Sequence, residues 1–180
     1  MSVSIYNVQN YNASLTYSSW DIVATTSDWN NLGLTGTSYL YNILAGIGSS
    51  STPSSTQWDG YSTINGEVKP KFLWTPSYQS QSQQNPKILS VKFGDSYESR
   101  SPDGIENNLL TLDLQFENRS IDETCAIVHF LTQRNGTESF ILTPQPPFST
   151  PKRFVARQWR QVQNFFNNYS VTFSAEEVVN

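Results

Sequence analysis

NNLLTLDLQFEN, residues 107–118, runs straight into RSIDETCAIVHFLTQRNG, residues 119–136. In the first piece Leu110, Leu112, Leu114 and Phe116 alternate with Thr111, Asp113, Gln115 and Glu117. That period of two predicts a strand with one apolar and one polar face. Ser120-Ile121-Asp122-Glu123 is then a capping box, in which each side chain can satisfy a free N–H of a helix's first turn. Ile121, Cys125, Val128 and Leu131 follow at helical spacing beside Ile127 and Phe130, and Asn135-Gly136 supplies a stop. A helix over Ile121–Arg134 is predicted, with His129 on the flank of its apolar stripe, neutral and half-exposed.

Downstream, Phe140-Ile141-Leu142 reads as a strand ended by Thr143-Pro144-Gln145-Pro146-Pro147. Lys152–Arg160 carries four of the eleven basic residues and reads as another, with Val155, Arg157 and Trp159 on one side and Phe154, Ala156 and Arg160 on the other. Tyr169–Phe173 is the last. Upstream, KILSVKFGDSYESRSPDG, residues 87–104, is a strand bearing Ile88, Val91 and Phe93, with turns at Gly94-Asp95 and Ser101-Pro102-Asp103-Gly104. Glycine supplies unusual backbone angles, proline presets one, and aspartate bonds its own backbone, so these turns define a shaped loop. Between residues 67 and 86, Phe72 and Trp74 sit in a short strand ended by Pro76, and the Gln/Ser run after it reads as a solvated loop.

Residues 1–66 contain no Lys or Arg, and their charges are Asp21, Asp28 and Asp59. That shift places a boundary near Asn65-Gly66. The expected organisation is a small aromatic-rich β module over 1–66, a strand and Gln/Ser linker over 67–86, and a core domain over 87–180. Strands are expected at Ser19–Thr25 and Ser38–Ile43, and a Gly/Ser/Pro loop at Gly46–Ser55. A module this small needs most of its rings inside. Trp29, in a polar loop, and Trp58, after a Ser/Thr run, are the rings expected to be exposed.

At 13% aromatic and 14% charged residues the composition favours a β protein with a real core. The net charge of −4 gives no electrostatic reason to expect nucleic acid as a partner. Cys125 and His129 are the only residues of their kinds, which excludes an intrachain disulfide and a four-thiolate zinc site; no cofactor or metal is expected. No apolar run approaches membrane-spanning length and the N-terminus shows no secretory signal. The four Asn-x-Ser/Thr sequons, at Asn12, Asn118, Asn135 and Asn168, are therefore read as accidental.

Two resemblances add to this. The pattern Tyr11…Tyr17, Asp21-Ile22-Val23, Tyr39-Leu40-Tyr41, Thr52-Pro53-Ser54 and Gln57-Trp58 resembles a small carbohydrate-binding module of the chitin-binding type, with Trp20 where that family has glycine. It implies host-surface polysaccharide as a partner, bound on Trp29, Tyr41 and Trp58. From Lys87 onward the chain resembles the minor tail protein M family of lambda-like, long-tailed bacteriophages. The match rests on Val91, Phe93, Gly94, Asp95, Tyr97 and Arg100, on Pro102, Gly104 and Ile105, on Leu109–Leu112, on Ser139, Phe140, Leu142, Thr143 and Pro144, and on the closing Phe173-Ser174-Ala175 and Val178-Val179-Asn180. Ser96, Glu106 and Leu142 depart from the family's usual residues.

That second resemblance implies a mainly β fold, a tail-tube-like β-sandwich or barrel with one α-helix packed across it, beside the small N-terminal β module. It also implies a virion protein, made in the host cytoplasm and assembled as a six-membered ring between the tail tube and the proteins of the distal hub, with no enzymatic chemistry. Phe93, Gly94, Asp95, Tyr97, Arg100, Pro102, Gly104 and Pro144 are the expected assembly residues, and the Lys152–Arg160 strand is expected to meet an acidic neighbour, line the lumen or simply face solvent. Two alternatives from other classes are glycan binding through residues 1–66 and glycoside hydrolysis by paired carboxylates, Asp95 with Glu98 or Asp103 with Glu106. Both pairs sit in loops, where solvated acids are the default.

Overall fold

The computed structural model describes residues 7–48, 53–94 and 97–179. Its strands are β1 (Val8–Asn10), β2 (Thr16–Tyr17), β3 (Ile22–Thr25), β4 (Ser38–Asn42), β5 (Gly46–Ile47), β6 (Trp58–Asp59), β7 (Tyr61–Ile64) and β8 (Glu67–Pro70). After these come β9 (Gln81–Gln84), β10 (Ile88–Lys92), β11 (Glu98–Pro102), β12 (Leu110–Arg119), helix α1 (Ile121–Arg134), β13 (Phe140–Leu142), β14 (Lys152–Phe165) and β15 (Asn168–Glu177). The fold is mainly β with one helix packed on a sheet, as expected.

The main sheet is antiparallel, in the order β13-β14-β15-β12-β9. β12 behaves as its alternation dictates: Leu110, Leu112, Leu114 and Phe116 are buried, while Asp113 and Glu117 face water. Across the sheet Val171, Phe173 and Ala175 of β15 and Phe154 and Ala156 of β14 extend the same apolar face. Ala126, Ile127, Phe130 and Leu131 of α1 close over it. Burying a large apolar side chain stabilises by roughly 1.5–3 kcal/mol, so this face is what holds the layers together.

The helix has the predicted bounds, with Ser120 as N-cap and Asn135 as stop, but the capping box is half formed, since the Glu123 carboxylate does not return to the Ser120 N–H. Ser120 accepts a hydrogen bond from the Glu123 backbone N–H at 3.3 Å. Glu123 turns its carboxylate to Arg119 Nη1 at 2.8 Å. Asn135 takes the left-handed conformation, φ 48°, and ends the helix.

In β14 the register shifts between Ala156 and Gln158, so Arg157 is an extra residue. Trp159 therefore stands opposite Phe173, packed against the core on the side of Phe154 and Ala156, and not with Val155 as strict alternation implied. The Gln/Ser run expected to be a loop is instead β9, whose backbone pairs with Leu110–Asp113 while its side chains stay exposed.

The N-terminal sheet has the order β1-β3-β4-β6, with β1 parallel to β3. Alternation in β3 and β4 splits its rings between two cores. Val23 and Leu40 face a local cluster with Tyr17, Trp29 and Trp58, whereas Ile22 and Tyr41 face the main core. A sheet covered on both faces leaves no ring free. Trp29 (3% exposed) and Trp58 (0%) are thus interior, contrary to the exposure expected of them, and Tyr41 (1%) is buried as well.

The seam between this sheet and α1 is aromatic. Tyr41 lies 5.2 Å from Trp74 and 6.0 Å from Phe130 between ring centres, and Trp20 lies 5.4 Å from Trp74. His129, expected half-exposed, is buried here, with Nδ1 3.1 Å from the Tyr41 hydroxyl. Burial first, and then the Arg134 guanidinium, lower its pKa to about 4, so the ring is neutral as expected.

The chain passes from one sheet to the other without a flexible link. β7 and β8 form a hairpin across Asn65 (φ 51°) and Gly66 (φ 80°), the turn at which a boundary was expected. Lys71 then bridges Ile141, and Phe72 and Trp74 enter the main core. Within 67–86, Phe72 and Trp74 join the core of the main sheet and helix, and β9 forms that sheet's edge.

Candidate assembly surfaces

β10 and β11 form a two-stranded ribbon outside both larger sheets, fully paired from Ile88↔Pro102 to Lys92↔Glu98. Its base is tied down by backbone bonds from Lys87 N to Asn107 O (2.7 Å) and from Asp103 N to Lys87 O (3.0 Å). Pairing fixes its two faces. One carries Ile88, Ser90, Lys92, Glu98, Arg100 and Pro102 and is mostly polar, the other Leu89, Val91, Ser99 and Ser101.

On the polar face Ser90 donates to Glu98 at 2.6 Å and Arg100 to Glu98 at 2.9 Å. These bonds, Arg100's first, hold the Glu98 carboxyl below its usual range. A carboxylate so engaged serves the ribbon's geometry and is not poised as a proton donor.

The apolar face is bare. Leu89 is 56% exposed, Val91 55%, Phe93 54% and Tyr97 68%, and the Phe93 and Tyr97 rings lie 5.8 Å apart at the far end. An isolated two-stranded hairpin is marginal in water, and one with its apolar side exposed needs something to lie on it.

The structure thus gathers Phe93, Gly94, Tyr97, Arg100 and Pro102 on one projecting element, with Gly104 (φ 90°) at the turn that follows it. Asp95 lies outside the described residues. The carboxylates of Asp103 and Glu106 are exposed.

Pro144 is elsewhere. It is buried in the wall of a cavity of about 430 Å³ between the end of β13, the Trp74–Pro76 segment and β9. Phe72, Trp74, Leu112, Leu114 and Leu142 form its floor, and Ile43 and Asp59 extend it to the N-terminal sheet.

A second projection escaped the sequence reading. β14 and β15 run on beyond the core to a tip at Phe165-Phe166, where the rings are 77% and 97% exposed. The signal was two adjacent phenylalanines inside the polar run Gln161–Asn168, a place where rings have no local core to enter. Among the described residues no group of three His, Cys, Asp or Glu could hold a metal, and no helix is long and apolar enough to cross a membrane.

The model of the phage minor tail protein family matches residues 70–179, more than half of the chain. The chain belongs to that family. Tail tip protein M of Escherichia phage lambda is 32% identical over 118 residues, which are 61% of this chain and 97% of that protein. This minor tail protein is accordingly a structural component of a phage tail, and so of the virion. The matched region contains the ribbon, the main sheet, α1 and the Phe165-Phe166 tip; the N-terminal sheet lies before it.

Proposed function

We propose that this minor tail protein forms a ring in the distal tail, six subunits around, that joins the tail tube to the tip hub and carries the N-terminal sheet outward as a decoration. The observation that carries the reading is the amphipathic ribbon: Leu89, Val91, Phe93 and Tyr97 stand in water on one side of a stiff, tethered hairpin. Such a surface is stable in a virion when a neighbour covers it. A ring needs two different surfaces of each copy to meet head to tail and close, and a projecting element is suited to be one of them. The lambda protein's own name places that relative at a tail tip, which favours the same position here. Its neighbours on this reading are further copies of itself, the tube protein and the hub proteins. No catalytic step is assigned to it.

Light scattering across a size-exclusion column, alone and with neighbouring tail proteins, tests the ring. A chain that stays monomeric in both settings sinks it. Glycan binding by residues 1–66 draws no support from Trp29, Tyr41 and Trp58, whose faces are packed inside; a sugar would have to be held by other groups.

A further inference from the structure

We propose that the Phe165-Phe166 tip of one copy seats in the Phe72–Trp74 cavity of a second copy. The inference rests on the ring reading above and adds to the ribbon a second contact between copies.

Phe165 and Phe166 are the most exposed pair of adjacent apolar side chains among the described residues, at 77% and 97%. They crown a hairpin that stays paired as far as Phe165↔Asn168, with register shifts after Ala156 and Gln163, so the rings are held out beyond the core on a stem of paired strands. The cavity is the complementary shape. Its volume of about 430 Å³ accommodates aromatic side chains, and Phe72, Trp74, Leu112 and Leu142 supply an apolar floor. Ser82 and Gln145, both exposed, stand at its mouth.

The tip cannot fill the cavity of its own chain. Arg119 pairs with Tyr169 near the tip, whereas Leu112 and Leu114 mark the cavity further back along β12. At the rise of a strand the two are roughly 25 Å apart along the paired strands. The occupant is therefore another molecule, and a contact between unlike surfaces of identical copies is the kind that propagates around a ring.

Area sets what the contact can do. Two phenylalanines bring about 300–500 Å², short of the roughly 800 Å² per partner of a stable pair. An open dimer is thus weak, and the closed ring, in which every copy both gives a tip and receives one, is the stable form.

The test compares the full chain with Phe165→Ala/Phe166→Ala and, separately, Ser82→Trp, which plugs the mouth, by sedimentation velocity alone and with tail neighbours. Both variants should melt like the parent, and self-association should weaken about thirty-fold or more. In a Cys125→Ser background, Phe166→Cys and Gln145→Cys chains should form a disulfide dimer when mixed and not separately. Full-strength rings from the double variant, no disulfide in the mixture, or a disulfide to a different tail protein in its place would each overturn the contact and leave the ring standing. A parent chain that never assembles removes both.

Discussion

His129 shows how much one side chain can reveal about a seam. Its unfolded pKa is near 6.5 and its folded one about 4, so the unfolded chain takes up a proton that the folded chain resists. The term is zero above pH 6.5 and grows more destabilising as pH falls toward 4, reaching about 3 kcal/mol. Denaturant titrations at pH 7 and pH 4.5 should show this loss, and His129→Gln should reduce it. An unchanged pH slope in the variant would mean that the buried ring is not what titrates. The rings of the local cluster make a second prediction. Trp58 is fully buried in a T-shaped pair with Tyr17, 4.8 Å between centres. Trp58→Ala should lower stability by about 3–5 kcal/mol through the cavity it leaves. Polysaccharide binding that vanished in this variant with no loss of stability would restore the stacking role the packing denies it.

At the scale of elements, the two that the sequence shows most clearly are β12 and α1, because each carries its period in side chains that end up on one buried face. Both have testable ends. Ser120→Ala should cost about 1 kcal/mol by freeing the Glu123 N–H, read as a shift in melting midpoint. β9 was unreadable for the opposite reason. Gln81–Gln84 joins the sheet through backbone bonds alone, and four exposed polar side chains show no period. The ribbon was half legible: Ile88, Val91 and Phe93 announced a strand, but only the pairing with Glu98–Pro102 shows that Leu89, Val91 and Phe93 face water together. An apolar strand in sequence says that something covers it, not whether the cover is in the same chain. Leu89→Ser/Val91→Ser should therefore leave folding stability within about 0.5 kcal/mol and abolish assembly. A large drop in melting temperature would mean the ribbon is packed within its own subunit.

For the whole molecule, the charge break at residue 66 promised two bodies, and a resemblance on either side of it reinforced that division. The turn was placed correctly at Asn65-Gly66, yet Ile22 and Tyr41 cross it to enter the main core. Sequence composition reports which solvent a segment meets and is silent on which surfaces it shares. Calorimetry of the full chain should give one cooperative transition. Two separated transitions would show that the aromatic seam is weak and the N-terminal sheet an independent body.

That seam also governs the order in which the chain can finish folding as it is made. The local cluster of Tyr17, Val23, Trp29, Leu40 and Trp58 is complete once residue 58 has emerged. The opposite face, with Ile22 and Tyr41, gains Trp74 soon after but is not closed over until Phe130 follows. At 5–20 residues per second the ribosome leaves that face waiting for roughly 3–15 s. During that interval the nascent chain shows water a surface that the finished subunit hides, and it is then that a chaperone has something to hold.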